Sequence, residues 1–478
     1  AVVLLFSSAD AFWRMPCHFR TGLGRLDPLM DPGEVSDHSH AIHGGGNFGF
    51  TTSYDDLMDS NCTSCGVYED KSAYWTPSVH FMYTNGTTVI VPQIGGMLAY
   101  YLLYGDNIQA FPKNFRLLAG NKNLRNFSGP IPDTPKSLWT ASDKTQFSLG
   151  QKALGFNCLN YAVQPEPSLY RHFMPSKDYL DANCTDGVRL ELMFPSCWNG
   201  HDVDSKDHKS HMAYPDLVMT GDCPEGFTTR TPSLFFETIW NTYAFKGEDG
   251  QFVLSNGDPT GCGYHGDFMT GWDVDFLQKA VNTCTNLSGE ISDCPLFSLQ
   301  SDDDAQQCTF PMPSQIKNDD CEGPSDGLCG NVPIQSGPAQ ATNISPGQTV
   351  EPTGSAHPEP THSSESVSYS LGYTIGTSVY TDNSGGGITA AEAPSSYAHA
   401  TPTADSDVEV ASADVPSPVP TPSPDMGDAQ DGDPNAVSTS IWTSGGAVHE
   451  VYIEEDIVTT TVTAGADTKR RRHVHHHR

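Results

Sequence analysis

Thirteen cysteines lie between Cys17 and Cys329, and none follows. Cysteine at this density in a chain of 478 residues points to a disulfide-bonded domain that ends near residue 330. The odd count leaves at least one thiol unpaired or paired to another chain. Cys62-x-x-Cys65 is the only such doublet. It can be read as a zinc half-site or a redox pair, but no second doublet follows, and disulfide use is the expectation. Six N-x-S/T sequons begin at Asn61, Asn85, Asn126, Asn183, Asn286 and Asn343. With the cysteines they point to the secretory path, and to a protein that is secreted, extracellular or cell-wall associated. Ala1 to Phe6 is a short apolar run before the A-x-A pattern Ala9-Asp10-Ala11, and reads as the end of a signal peptide. No later run reaches about 18 apolar residues, so no transmembrane segment is expected.

The strand signals fall in the same half. Val79–Tyr83, Thr87–Val91, Gly96–Tyr101, Arg189–Phe194, Leu234–Trp240 and Gln251–Leu254 are short, aromatic and separated by Gly, Pro and Asn. Asn85-Gly86 between the first two is a hairpin turn signal. Helical periodicity is clear only at Asp273–Val281. The expected fold is mainly β: a disulfide-bonded β-sandwich or jelly-roll-like core with long loops and few helices, then a disordered Ser/Thr/Pro-rich tail. The expected segments are a signal-peptide remnant (1–11), a globular domain (12–300), a cysteine-bearing extension (301–334), a low-complexity linker (335–440), and a β-prone segment with a basic His/Arg tail (441–478). The linker cannot bury enough apolar area to offset ordering entropy, and its Ser and Thr suit O-glycosylation. The net charge of −33 argues against nucleic acid as a partner, because phosphates would be repelled.

Three clusters carry candidate chemistry. Asp37-His38-Ser39-His40 and Asp207-His208-Lys209-Ser210-His211 each place two imidazoles close together. Gly257 to Phe268 adds His265 beside Asp258 and Asp267. Imidazole titrates near neutral pH and ligates metals through its neutral nitrogen. His38, His40, His208 and His211 are therefore candidate ligands for a divalent metal, with Asp37, Asp207 or Asp267 as acceptors for the other ring N–H. For acid–base work the candidates are His208, His211 and His265, tuned by Asp207, Asp258 and Asp267, with Tyr214 as proton donor in a lyase reaction. The plain alternative is that these histidines are loop residues bonded to backbone groups. Tyr74, Trp75, Trp198 and Trp272 stand beside polar groups and are candidate sugar-stacking rings, or else core aromatics. Glu237, alone on an apolar strand, is a candidate acid or base, or that strand's solvent-facing residue. Gly44-Gly45-Gly46 resembles an esterase oxyanion loop, but no G-x-S-x-G accompanies it.

Five ordered marks resemble one family: Asp31-Pro32-Gly33 with Ser36 to His40, Tyr74-Trp75-Thr76-Pro77, Phe194 to Gly200, Asp207 to Pro215, and Gly257 to Gly261 through Gly271-Trp272-Asp273. They are similar to a secreted fungal family known as domain of unknown function number nineteen-ninety-six, sometimes found beside WSC carbohydrate-binding domains. The resemblance spans residues 16 to 290 and implies secretion and a fungal wall or biomass setting, without an established reaction. Cys262 departs from the family pattern, where an aromatic such as Tyr is expected, and the departure accounts for the odd cysteine. Two functions follow as expectations. One is a carbohydrate-active enzyme, a polysaccharide hydrolase or lyase with a His/Asp site, metal-assisted or not. The other is a non-catalytic glycan-binding or cell-wall structural protein.

Overall fold

In a computed structural model the described residues are 11–342, 436–444 and 447–454. They fall into two compact units, residues 1–393 and 394–478. In chain order the strands of the first are β1 (Ala11–Cys17), β2 (Gly22–Gly24), β3 (His40–Gly44), β4 (Ala73–Pro77), β5 (Val79–Tyr83), β6 (Thr87–Ile90), β7 (Gln93–Leu103), β8 (Arg116–Gly120) and β9 (Leu154–Cys158). They continue as β10 (Val188–Met193), β11 (Cys197–Trp198), β12 (Met212–Ala213), β13 (Thr229–Arg230), β14 (Ser233–Trp240), β15 (Gly250–Leu254), β16 (His265–Met269) and β17 (Ser325–Asp326). The helices are short: α1 (Tyr54–Met58), α2 (Gln146–Lys152), α3 (Lys177–Asn183), α4 (Val274–Thr283) and α5 (Asp302–Gln306). The fold is mainly β, with each of the six sequence-read strand runs falling on β5, β6, β7, β10, β14 or β15.

Two five-stranded antiparallel sheets form the sandwich, ordered β1-β7-β14-β10-β9 and β2-β3-β4-β16-β8. Alternation along each strand decides which side chains meet between them. Trp13 and Met15 of β1, Met97, Ala99 and Tyr101 of β7, and Phe236 of β14 face inward from the first sheet. Ala41, Tyr74, Leu117 and Phe268 meet them from the second. The Tyr74 ring lies 5.5 Å from Phe236, its hydroxyl is 2.6 Å from that of Tyr101, and the Trp272 indole donates to Tyr101 at 2.8 Å. Helix α4 is capped by the Asp273 side chain and buries Leu277, Ala280 and Val281, as its periodicity predicts.

The outer faces are covered differently. The outer face of the second sheet carries Ile42, Trp75 and Leu118 under Leu26, Leu29, Phe48, Phe310 and Ile316. The first sheet's outer face carries Tyr100, Phe235 and Met193 under α2 and residues 214–219. The cysteine-bearing stretch lies on the sandwich through Phe310 and Ile316, and Ser325 and Asp326 pair with Thr88 and Thr87 of β6 in a separate four-stranded sheet, β15-β5-β6-β17. Among the described residues, six disulfides close, Cys17–Cys65, Cys62–Cys308, Cys158–Cys184, Cys197–Cys223, Cys284–Cys294 and Cys321–Cys329. Cys62 and Cys65 thus pair with different partners, which removes both the zinc half-site and the redox reading of that doublet.

The second unit is described by its backbone alone. β18 (Ala436–Ser444) and β19 (Ala447–Glu454) pair antiparallel, Trp442 opposite His449. The leader-like first ten residues, the Pro-rich linker and the basic tail lie outside the described residues.

Cys262 is the free cysteine, and it is buried. Burial pushes its thiol up to about 12, so little thiolate forms near neutrality. A thiol reagent is expected to label no cysteine in the native protein and one per chain after denaturation without reductant, counted by mass spectrometry. Rapid native labelling would contradict the burial.

Candidate functional site

The order β3-β4-β16 brings distant histidines onto one face. His40 starts β3 opposite Pro77, and Asp267 of β16 stands opposite Trp75 on the other side of β4. His265 and Asp267 are two apart on β16 and so share that face. His38 sits just before β3. The rings of His38 and His40 are 4.3 Å apart, those of His38 and His265 5.0 Å, and those of His40 and His265 5.9 Å. All are buried, as are Asp27 and Asp267.

Each imidazole is held by its Nδ1. That of His38 donates to the Asp37 carboxylate, that of His40 to Leu26 O at 3.1 Å, and that of His265 to Gly263 O at 2.9 Å. Backbone carbonyls only accept, so Nδ1 of His40 and His265 carries the proton and Nε2 is left as an acceptor. The Nε2 atoms of His38 and His265 face each other at 3.1 Å. Nε2 of His40 and both carboxylate oxygens of Asp267 have no hydrogen-bond partner among the described residues. One ligand atom from each of His38, His40 and His265 lies within 4.8 Å of the others, and the same holds for Asp27, His40 and Asp267.

The electrostatics are those of a buried polar knot. Burial, then the neighbouring His38, hold His40 and His265 well below the usual imidazole range, so both are neutral. Burial pushes Asp27 up to about 6, and burial together with Asp27 pushes Asp267 well above the carboxylate range. Two lysines face the acids. Lys122 donates to Asp37 at 2.6 Å, and Lys209 donates to Gly120 O within electrostatic reach of Asp267. Burial pushes Asp37 up, but His38 and Lys122 outweigh it and hold the carboxylate well below its usual range.

Other sequence-named residues take different places. Nδ1 of His208 donates to Asp204 at 2.6 Å, and the His208 backbone sits at φ 55°. Both ring nitrogens of His211 are engaged, with Ser205 Oγ at 3.0 Å and Arg116 O at 2.8 Å. The structure therefore gathers His38 and His40 with His265, not with His208 and His211. Asp207 ties its own turn, accepting from the amides of Lys209 and Ser210. Asp258 accepts from the amides of Thr260 and Gly263 and faces Arg125 at 3.6 Å. Tyr214 is buried with its hydroxyl donating to Met193 O at 2.9 Å. Tyr74, Trp75 and Trp272 are fully buried and Trp198 is 7 % exposed, donating to Asp202 O, so none of the four offers an open ring face. Asp27 has no sequence mark beyond a turn-forming Asp before Pro28. Its Oδ1 accepts from the amides of Leu29 and Met30, at 3.1 and 2.9 Å. Lys209 lies within the second His motif.

These features define a class: a disulfide-bonded β-sandwich with a buried His–Asp cluster on the outer face of one sheet. The family model described as domain of unknown function (DUF1996) matches residues 27–272, and the chain belongs to that family. The matched span begins at Asp27 and takes in every member of the cluster. No curated protein and no solved structure matches the chain. No helix among the described residues is long and apolar enough to cross a membrane.

Proposed function

We propose that the protein is a secreted carbohydrate-active enzyme, a polysaccharide hydrolase or lyase, with its chemistry at His38, His40 and His265. The observation that carries this reading is the meeting of three imidazoles from segments more than 220 residues apart in one acid-lined knot. An imidazole whose far nitrogen is fixed on a carboxylate, as in Asp37–His38, is built to take up or hand on a proton. His38 is the member next to the surface, since its partner Asp37 is exposed. An exported, glycan-rich setting is supported by Asn61, Asn85, Asn126, Asn183 and Asn286, the sequon asparagines among the described residues, which are all exposed.

The second reading, a non-catalytic glycan-binding or wall-associated protein, is favoured by the depth of the same cluster. His38, His40 and His265 are each no more than 2 % exposed, and the candidate stacking rings are buried. The test is a panel of wall and plant polysaccharides incubated with the full chain, scored for new reducing ends and for unsaturated products. Release of either product is expected, with His38→Gln lowering kcat/KM by about 100-fold or more, the scale of lost general acid–base catalysis. Product formation undiminished in that variant overturns the site assignment. No product from any polymer, with retained pull-down, replaces the enzyme by the binder.

A further inference from the structure

We propose that Nε2 of His38, His40 and His265 together bind one divalent transition-metal ion of the zinc class, with the Asp267 carboxylate beside His40 balancing its charge. The inference concerns the same site as the enzyme reading but not its substrate.

Tautomers come first. With Nδ1 of His40 and His265 donating to backbone carbonyls and Nδ1 of His38 on the Asp37 carboxylate, the three free lone pairs are all on Nε2. Fixing Nδ1–H on a carbonyl or carboxylate is how proteins orient a metal-ligating imidazole and raise its basicity. The distances agree. Zinc sits about 2.0–2.1 Å from a histidine nitrogen, so tetrahedral neighbours lie about 3.3 Å apart. His38 and His265 present their Nε2 atoms at 3.1 Å, and one ring nitrogen of each of the three histidines lies within 4.8 Å of the others.

Two lone pairs at 3.1 Å repel unless a cation lies between them. A shared proton would satisfy that pair alone. It would leave Nε2 of His40 and both oxygens of Asp267 buried without partners, and a buried unpaired polar atom costs about 1–3 kcal/mol. One ion on the three Nε2 atoms also gives His40 its partner, and it puts positive charge beside the unpartnered carboxylate of Asp267, which is gathered with His40 and Asp27. Asp267 supplies negative charge to balance it. Asp27, gathered with His40 and Asp267, stands beside the carboxylate side of the position. Three imidazoles suit zinc, cobalt, iron or copper; calcium and magnesium take all-oxygen sites.

The test uses the full chain, stripped with chelator, dialysed, then exposed to Zn²⁺ or Co²⁺ and assayed by elemental analysis, titration calorimetry and visible absorption of the cobalt form. One ion per folded chain is expected, with a cobalt d–d spectrum of nitrogen–oxygen ligation. His265→Gln is expected to weaken binding by more than about 100-fold, and Asp37→Ala, which removes the carboxylate that supports His38 and pairs with Lys122, by about 10–100-fold. Because His473 and His475 to His477 offer further imidazoles, a full chain with those four changed to Ala is measured alongside. Uptake that survives His265→Gln but vanishes in the tail variant overturns the inference. So does wild-type protein, folded by circular dichroism, that takes up no ion. Stoichiometric metal without polysaccharide product removes the enzyme reading and leaves this one standing. Product from folded protein that takes up no ion does the reverse.

Discussion

Replacing Cys62 and Cys308 with serine is expected to destabilise the protein more than breaking any other of its disulfides. That bond joins residues 246 apart in sequence, against 48 for Cys17–Cys65 and 26 or fewer for the rest. A cross-link stabilises chiefly by restricting the unfolded chain, and the effect grows with the logarithm of the loop. The chain-entropy relation gives about 5 kcal/mol for a loop of this size, which for a domain of some 320 residues is roughly 5–10 °C in Tm. The loss has a local face too. Phe310, two residues beyond Cys308, covers the outer side of the second sheet and lies against Gly22 and Phe48. Without the cross-link the stretch around residues 301–330 is expected to become the first site of proteolytic cleavage. Calorimetry and limited proteolysis of the double variant check both statements. A Tm change no larger than that for Cys284–Cys294, which spans 10 residues, contradicts the argument.

The second large effect is expected at Arg189→Met. Glu191 of β10 and Glu237 of β14 are cross-strand partners, 0 % and 3 % exposed, on the outer face of the first sheet. Arg189 donates to Glu191 at 2.9 and 2.6 Å and faces Glu237 at 3.3 Å, while the Tyr100 hydroxyl donates to Glu237 at 2.8 Å. Burial pushes Glu237 up, and the Arg189 guanidinium pulls against it without cancelling it. Removing Arg189 leaves two buried like charges side by side, a change that costs about 3–5 kcal/mol. The sign of its pH dependence follows. Without the guanidinium the carboxyl pair holds its protons more tightly, so the folded variant binds protons that the unfolded chain has released. The deficit is therefore largest at neutral pH and shrinks as pH falls toward the ordinary glutamate range. Denaturant unfolding at pH 7 and at pH 5 measures this, and adding Glu191→Gln with Glu237→Gln is expected to restore most of the loss. A deficit independent of pH places the effect in packing rather than charge.

Glu237 shows how much a local pattern discloses and where it stops. A lone carboxylate on an apolar strand announces that it needs a partner. That the partners are Arg189 and Tyr100 follows from the register of β14 between β7 and β10, which no local pattern contains. The same contrast runs through the cluster. Asp37 is the acceptor for His38, as adjacency suggests. His208 and His211 repeat the Asp-His spacing of the first motif, yet their turn is consumed by Asp204, Ser205 and the Arg116 carbonyl. Spacing alone cannot separate an imidazole with a free nitrogen from one whose nitrogens are both spent. The four aromatics differ for a related reason. A Tyr or Trp beside polar residues reads alike on a groove and in a core, and only the first sheet packed over Tyr74 and Trp272, or the chain folded over Trp75, distinguishes them.

Local chemistry determined six of the strands, because short aromatic runs between Gly, Pro and Asn favour extended backbone, and the turn at Asn85-Gly86, because Gly86 accepts a backbone that other residues resist. It also determined that cysteines would lock the domain, and that the lock would end near Cys329. Tertiary structure decided which histidines meet. Placing β4 between β3 and β16 sets His40 and His265 on one face of one sheet, and a register shift of a single residue in either strand would have sent them to opposite faces.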